Sequence, residues 1–101
     1  ETTSIEVIMK NKVRAHAVIS GQVQGVFYRA TTKETAENLG VRGWVKNKPD
    51  GNVEAVFEGE KKHVGLVLEW CSEGPLYAKV NRVDISWEEY SGEYCDFRIS
   101  Y

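Results

Sequence analysis

Apolar residues recur at every second position near the start of the chain. This pattern runs from Val13 to Ile19, and the residues in between are mostly polar. A period of two predicts a β-strand with one buried face. The strand is predicted to end at Ser20-Gly21, and a loop to run from there to about Phe27.

Two later stretches have apolar residues three or four positions apart, which is typical of an amphipathic helix. The first runs from about Tyr28 to Leu39, and its predicted buried face consists of Tyr28, Thr32, Thr35, Ala36 and Leu39. The second runs from about Glu60 to Cys71 or Ser72, with an apolar stripe of Val64, Val67, Leu68 and Cys71. Gly40 is suited to a left-handed cap, and Gly74-Pro75 ends the second helix.

The remaining apolar segments predict strands. Val41–Asn47 and Asn52–Glu58 flank a turn whose proline and glycine favour a tight reversal, so the two segments should form a hairpin. Ala78–Glu88 predicts a fourth strand. Alternating apolar residues from Cys95 to Tyr101 predict a closing strand after the Ser91-Gly92 turn.

The order of these elements is βαββαβ followed by a C-terminal strand, the ferredoxin-like split βαβ pattern of the α+β class. We expect two helices on one face of an antiparallel sheet, in a single domain that covers residues 12–101. Residues 1–11 show no clean period, so we expect a mobile N-terminal segment in which Met9 is a candidate for the natural start.

The composition narrows the class of function. Hydrophobic residues make up 42% of the 101 residues, charged residues 28%, and the formal net charge is −2. This balance is typical of a soluble globular protein and provides no basic field to gather nucleic acid or anionic membrane. Cys71 and Cys95 do not have the spacing of a zinc site. A disulfide between them stays open, but two reduced thiols in a cytoplasmic monomer are favoured.

The loop that precedes the first helix has the features of an anion site. Backbone N–H groups at the start of a helix are free to bind phosphate, and Gly21 and Gly25 let the loop curl around it. Arg29 can hold two phosphate oxygens at once. The lysine of a P-loop is missing. Such turns more often only redirect the chain, and Arg29 could instead form an ordinary ion pair, for example with Glu34.

Two motifs give the loop a more specific interpretation. Gly21–Arg29 reads GQVQGVFYR and is similar to the acylphosphatase signature G-x-V-Q-G-V-x-F-R. Gly43–Asn47 reads GWVKN and is similar to the second motif of that family, G-W-V-x-N. The resemblance extends from about Val13 to Tyr101. Tyr28 replaces the usual phenylalanine, and Phe27 occupies a variable position at which glycine is common.

The resemblance implies an enzyme that hydrolyses small acyl phosphates to a carboxylate and inorganic phosphate. It implies that Arg29 and Asn47 are catalytic: Arg29 binds the phosphoryl group, and the Asn47 amide orients the attacking water. The phosphate-binding loop residues would be Gln22, Val23, Gln24, Gly25 and Val26. The family implies no metal, no cofactor and no covalent intermediate, and the physiological acyl group stays open.

Two other functions are not excluded by the residues alone. A non-enzymatic ferredoxin-like module could bind protein or nucleic acid, although the aromatic-rich RNA-binding motif is missing. The domain could also belong to a larger carbamoyl-transfer protein. His16 and His63 lack a cysteine or carboxylate at ligand spacing, so we expect both to be non-catalytic. The three tryptophans are expected to be core or edge aromatics.

Overall fold

A computed structural model describes residues 11–101 of the chain. The predictions about residues 1–10, including the candidate start at Met9, lie outside the described residues. The elements in chain order are β1 (Lys12–Gln22), α1 (Tyr28–Asn38), β2 (Arg42–Asn47), β3 (Val53–Glu60), α2 (Lys61–Glu73), β4 (Lys79–Glu88) and β5 (Phe97–Ile99). Their order confirms the predicted α+β, ferredoxin-like class.

The five strands form one sheet in the order β4-β1-β3-β2-β5. Neighbouring strands are antiparallel except β2 and β5, which are parallel. The sheet is therefore mixed, and the expectation of a wholly antiparallel sheet is wrong at this edge. The reason is the long connection after β4, which carries the chain to the opposite edge of the sheet and lets β5 run in the same direction as β2.

β1 is longer than its alternation predicts, because a bulge allows it to continue past Ser20. The pairing register between β1 and β4 shifts between Ser20 and Gly21, after which Gln22 lies opposite Lys79. Gly21 has φ 129°, and a Cβ at this position would lie 2.1 Å from the carbonyl oxygen of Lys79. Only glycine allows this close approach of two backbones. The bulge thus determines where the loop leaves the sheet.

Both helices cover the same face of the sheet, α1 over β2 and β5, and α2 over β1, β3 and β4. The core between the layers is apolar and contains alternate residues of β1, as predicted: Ala15, Ala17 and Ile19 are fully buried. At the β5 edge, Phe57 and Phe97 stack at 5.6 Å between ring centroids. Gly43 lies between them in the sheet, opposite both, and a Cβ at this position would lie 1.9 Å from the carbonyl oxygen of Val56.

The opposite face of the sheet is polar, and its side chains bind the connection between β4 and β5. Glu58 is only 2% exposed, and its carboxylate accepts hydrogen bonds from the backbone N–H groups of Ser91 and Gly92 at 2.8 and 3.0 Å. The Arg14 guanidinium lies 3.4 Å from the same carboxylate. These bonds satisfy a buried charge. They also anchor the segment that delivers β5 to its edge of the sheet.

The two cysteines lie in different surroundings. Cys71 is buried and Cys95 is exposed, and no disulfide joins them. Burial raises the pKa of the Cys71 thiol to about 12, so this thiol is unreactive near neutral pH.

Within residues 11–101, neither helix has the length and apolar character required to cross a membrane.

Candidate active site

The loop between β1 and α1 presents a row of free backbone donors. Within residues 11–101, no backbone or side-chain group accepts a hydrogen bond from the N–H groups of residues 23–27. The first helical donor is Thr31, whose N–H binds the Phe27 carbonyl at 3.1 Å. Unpaired N–H groups at a helix start carry partial positive charge and favour an anion.

Two residues of the loop have left-handed backbones. Gly25 has φ 74°, which glycine adopts without cost. Phe27 has φ 63° and ψ 20°, and it caps α1 without a side-chain hydrogen bond. A bulky residue in this region costs on the order of 1–3 kcal/mol, so the surrounding loop and helix must impose the conformation.

Tyr28 anchors the start of α1 to the second helix. Its side chain is buried against Trp70, with ring centroids 5.4 Å apart, and its hydroxyl donates to the carbonyl oxygen of Cys71 at 2.7 Å. Burial raises the pKa of the Tyr28 phenol well above its usual range. The phenol is therefore a fixed hydrogen-bond donor and is not available for proton transfer.

Gln24 ties the loop to the β2–β3 turn. Its side-chain amide donates to the carbonyl oxygens of Lys48 and Asn52 at 2.7 and 2.8 Å. The Lys48 carbonyl directly follows the last residue of β2, and the Asn52 carbonyl directly precedes the first residue of β3. The clamp therefore fixes the loop relative to Asn47, which occupies the end of that strand.

A pocket of about 330 Å³ joins the loop to the ends of β2 and β5. It contains both predicted catalytic residues, and its lining consists of Val23, Gly25, Phe27, Tyr28, Arg29, Ala30, Asn47, Ile99 and Tyr101. The Arg29 guanidinium carbon lies 5.2 Å from the centroid of the Tyr101 ring. Among the described residues Arg29 forms no ion pair, so the alternative pairing with Glu34 is wrong. Its charge faces the pocket without a carboxylate partner.

The Asn47 side chain has an unsatisfied polar atom. Its Oδ1 is buried and has no hydrogen-bond partner in the part of the chain that the structure describes. A buried acceptor without a partner costs on the order of 1–3 kcal/mol. In a pocket that also contains Arg29, such an acceptor is suited to hold a water molecule or a donor on a ligand.

The predicted phosphate-binding residues fall into two groups. Val23, Gly25 and Arg29 line the pocket, together with Asn47. Gln22, Gln24 and Val26 do not line it: Gln22 ends β1 and pairs with Lys79, and the Gln24 side chain is used in the clamp. Phe27, Ile99 and Tyr101 also line the pocket, although no sequence pattern assigned them a role there. The alternation of the last strand would have placed Ile99 and Tyr101 on one face, but not beside Arg29.

Other polar groups lie outside this pocket. His16 Nε2 is 2.7 Å from a Glu54 carboxylate oxygen, and His63 Nδ1 is 3.5 Å from Glu60. Both histidines thus have a carboxylate partner, contrary to expectation. Glu54 lies on the neighbouring strand β3 and Glu60 is three residues before His63, yet neither histidine lines the pocket. No cluster of three or more potential metal ligands occurs in residues 11–101. A wider groove of about 510 Å³ beside Trp44, Tyr94 and Arg98 contains neither Arg29 nor Asn47.

The family model, the similar sequences and the similar solved structures all indicate the same family. The acylphosphatase family model matches residues 15–99. An acylphosphatase from Pyrobaculum islandicum is 56% identical over 88 residues, covering 86% of this chain and 93% of the relative. One from Pelotomaculum thermopropionicum is 45% identical over 91 residues, covering 90% and 99%. The solved structure of an acylphosphatase from Coxiella burnetii superposes with a TM-score of 0.86 at 41% identity, covering 90% of this chain and 95% of that one. The chain therefore belongs to the acylphosphatase family of hydrolases.

Proposed function

We propose that this enzyme hydrolyses the carboxyl-phosphate bond of small acyl phosphates and releases a carboxylate and inorganic phosphate. The observation that carries the proposal is that Arg29 and Asn47, from separate motifs, line one pocket beside a row of unpaired N–H donors. Arg29 and the N–H donors favour an anion, and Asn47 supplies an acceptor for water.

The loop and Arg29 bind the phosphoryl group. The N–H groups of residues 23–27 and the start of α1 donate to its oxygens, and the guanidinium can donate to two oxygens at once. In the transition state, charge spreads over these oxygens and the leaving oxygen. Donors that are already in place stabilise this charge without reorganisation. Residues 23–26 are proposed to act through their backbone N–H groups, so their side chains need not enter the pocket, whereas Gln22 ends β1 opposite Lys79.

Asn47 positions the attacking water. Its buried Oδ1 accepts a hydrogen bond from the water, which directs an oxygen lone pair toward phosphorus. The water oxygen–phosphorus bond forms, the bond from phosphorus to the acyl oxygen breaks, and the electron pair leaves on the carboxylate. The water proton passes to a phosphate oxygen. A carboxylate is a weak base, so its departure needs no general acid.

The test is hydrolysis of benzoyl phosphate by the wild type, Arg29→Gln and Asn47→Ala. We expect wild-type turnover above buffer, and a fall in kcat of at least about 100-fold in each variant. Arg82→Gln and Asn81→Ala are matched controls on β4, outside the pocket, and should retain activity. A wild type without turnover would overturn the proposal, and full activity in both site variants would overturn the residue assignment.

Two further measurements separate phosphate binding from turnover. Inorganic phosphate, as product, should inhibit competitively and shift the amide resonances of Gln24, Gly25 and Val26. An unchanged spectrum at high phosphate would contradict the proposed cradle. Excess chelator should leave turnover unchanged, because the proposed charge stabilisation comes from Arg29 and the loop amides.

The form in which the enzyme acts is also part of the proposal. Residues 12–101 would constitute one catalytic domain that acts as a monomer in the cytoplasm. The free, exposed thiol of Cys95 supports a reducing compartment. Sedimentation at micromolar concentration tests the monomer, since a concentration-dependent increase in mass would contradict it.

A further inference from the structure

The mouth of the pocket carries an exposed aromatic ring on a strained backbone. Phe27 lines the pocket, yet its side chain is 78% exposed. Burial in the core therefore does not explain a phenyl group at this position. Glycine would accept φ 63° without strain, so the loop conformation does not explain it either. Both observations suggest a role in contact with a ligand.

A second exposed aromatic lies on the same pocket. Tyr101 is 99% exposed, and its ring lies over the Arg29 guanidinium at 5.2 Å. Ile99, two residues earlier, adds a partly buried apolar wall. Arg29 thus shares its pocket with two aromatic side chains, one from the loop before α1 and one from the residues after β5. We call Phe27 and Tyr101 the aromatic rim.

The orientation of a bound substrate follows from the two ends of the pocket. The phosphoryl group is held by the loop amides and Arg29, so the acyl group must extend away from them toward the exposed part of the pocket. In the exposed part of the pocket the acyl group can contact the aromatic rim. A flat ring can stack on another ring or lie edge-on against it, whereas a methyl group covers little of either.

We propose that the aromatic rim recognises the acyl group and selects aromatic acyl phosphates over short aliphatic ones. This inference rests on the proposed function and names the substrate class of the same site. Phe27 and Tyr101 are specificity residues in this scheme, and the bond-breaking step still depends on Arg29 and Asn47.

The experiment compares kcat/KM for benzoyl phosphate with that for acetyl phosphate. The ratio is measured in the wild type, Phe27→Gly, Phe27→Tyr and Tyr101→Leu, so that the different intrinsic reactivity of the two substrates cancels between proteins. We expect the ratio to fall about three- to tenfold in Phe27→Gly and in Tyr101→Leu, and to be retained in Phe27→Tyr. Tyr77→Ala removes a similarly exposed aromatic outside the pocket and should leave the ratio unchanged.

Inhibition provides a readout that does not depend on turnover. Benzylphosphonate should inhibit the wild type more strongly than methylphosphonate, and Phe27→Gly should reduce this difference by a similar factor. Unchanged ratios in both rim variants, including an equal loss of kcat/KM for both substrates, would overturn the proposed specificity of the aromatic rim. They would leave the proposed hydrolase activity intact. A wild type that hydrolyses neither substrate would overturn the proposed function, and the rim with it.

Discussion

The hydroxyl of Tyr28 replaces a hydrogen bond that the Cys71 carbonyl cannot make within its own helix. In a continuing helix this carbonyl would accept the N–H four residues later, but that residue is Pro75, which has none. Tyr28 donates to it at 2.7 Å instead. One contact therefore completes the end of α2 and fixes the beginning of α1, next to the loop.

Tyr28→Phe should destabilise the protein by about 1–2 kcal/mol, since it removes the donor and leaves a buried carbonyl unpaired. Urea denaturation measures the change in the free energy of unfolding. Tyr77→Phe is the matched control because Tyr77 is 75% exposed, and its stability should equal that of the wild type. Equal stability of both variants would contradict the role assigned to the Tyr28 hydroxyl.

Gly21→Ala and Gly25→Ala should differ sharply in stability, although both glycines have positive φ. At Gly21 the new Cβ would lie 2.1 Å from the Lys79 oxygen, whereas at Gly25 it meets no atom within 4 Å. We expect a loss of about 4 kcal/mol or more at Gly21 and about 1–2 kcal/mol at Gly25. Thermal and urea denaturation of the pair test this, and similar losses would refute the close-approach argument.

Gln24→Ala should lower kcat about tenfold, because the loop loses its two bonds to the turn that follows Asn47. The inhibition constant of phosphate should change less than about twofold, since the loop amides are retained. Lys48→Ala keeps the acceptor carbonyl and serves as the control. A loss of phosphate affinity equal to the loss of kcat would show that Gln24 maintains the whole loop and not the alignment with Asn47.

Acid should remove one specific source of stability on the polar face of the sheet. The hydrogen bond from His16 is the largest cause that lowers the pKa of Glu54 below its ordinary value of 4.5. A carboxylate with a lowered pKa stabilises the fold above pH 4.5, and this contribution is lost as the pH falls through the folded-state pKa.

Glu54→Gln should therefore cost about 1 kcal/mol at pH 7, and the difference from the wild type should shrink below pH 4.5. Urea denaturation at a series of pH values measures it. Glu34→Gln, at an exposed position of α1, is the control. A difference that persists unchanged to pH 3 would argue against this hydrogen bond as the source of the stability.

Local patterns predicted most of the fold, and the exceptions arise from pairing between distant segments. The helices begin and end within about two residues of prediction because their periodicity and glycine stops are local signals. Alternation could not reveal the bulge at Gly21, which depends on the approach of Lys79. The parallel pairing of β5 likewise depends on how the preceding connection crosses the sheet.

The site also combines features that local motifs predicted with features that depend on distant segments. Arg29 and Asn47 were predicted because each belongs to a recognisable motif, and the structure places both on one pocket. Their catalytic roles stay predictions. The contribution of Tyr101 could not be predicted, since it depends on β5 pairing with β2. The clamp by Gln24 was missed because a motif indicates which residue is present, but not which atoms it binds.

The interior position of β1, between β4 and β3, has a consequence for how the chain folds. Arg14 bonds to Glu88, 74 residues later in sequence, so one neighbour of β1 is available only after most of the chain is present. Closing so large a loop costs chain entropy before any contact compensates for it. Folding should accordingly be slow for a domain of this size, on the scale of milliseconds to seconds, and a nascent chain on the ribosome would complete its sheet late.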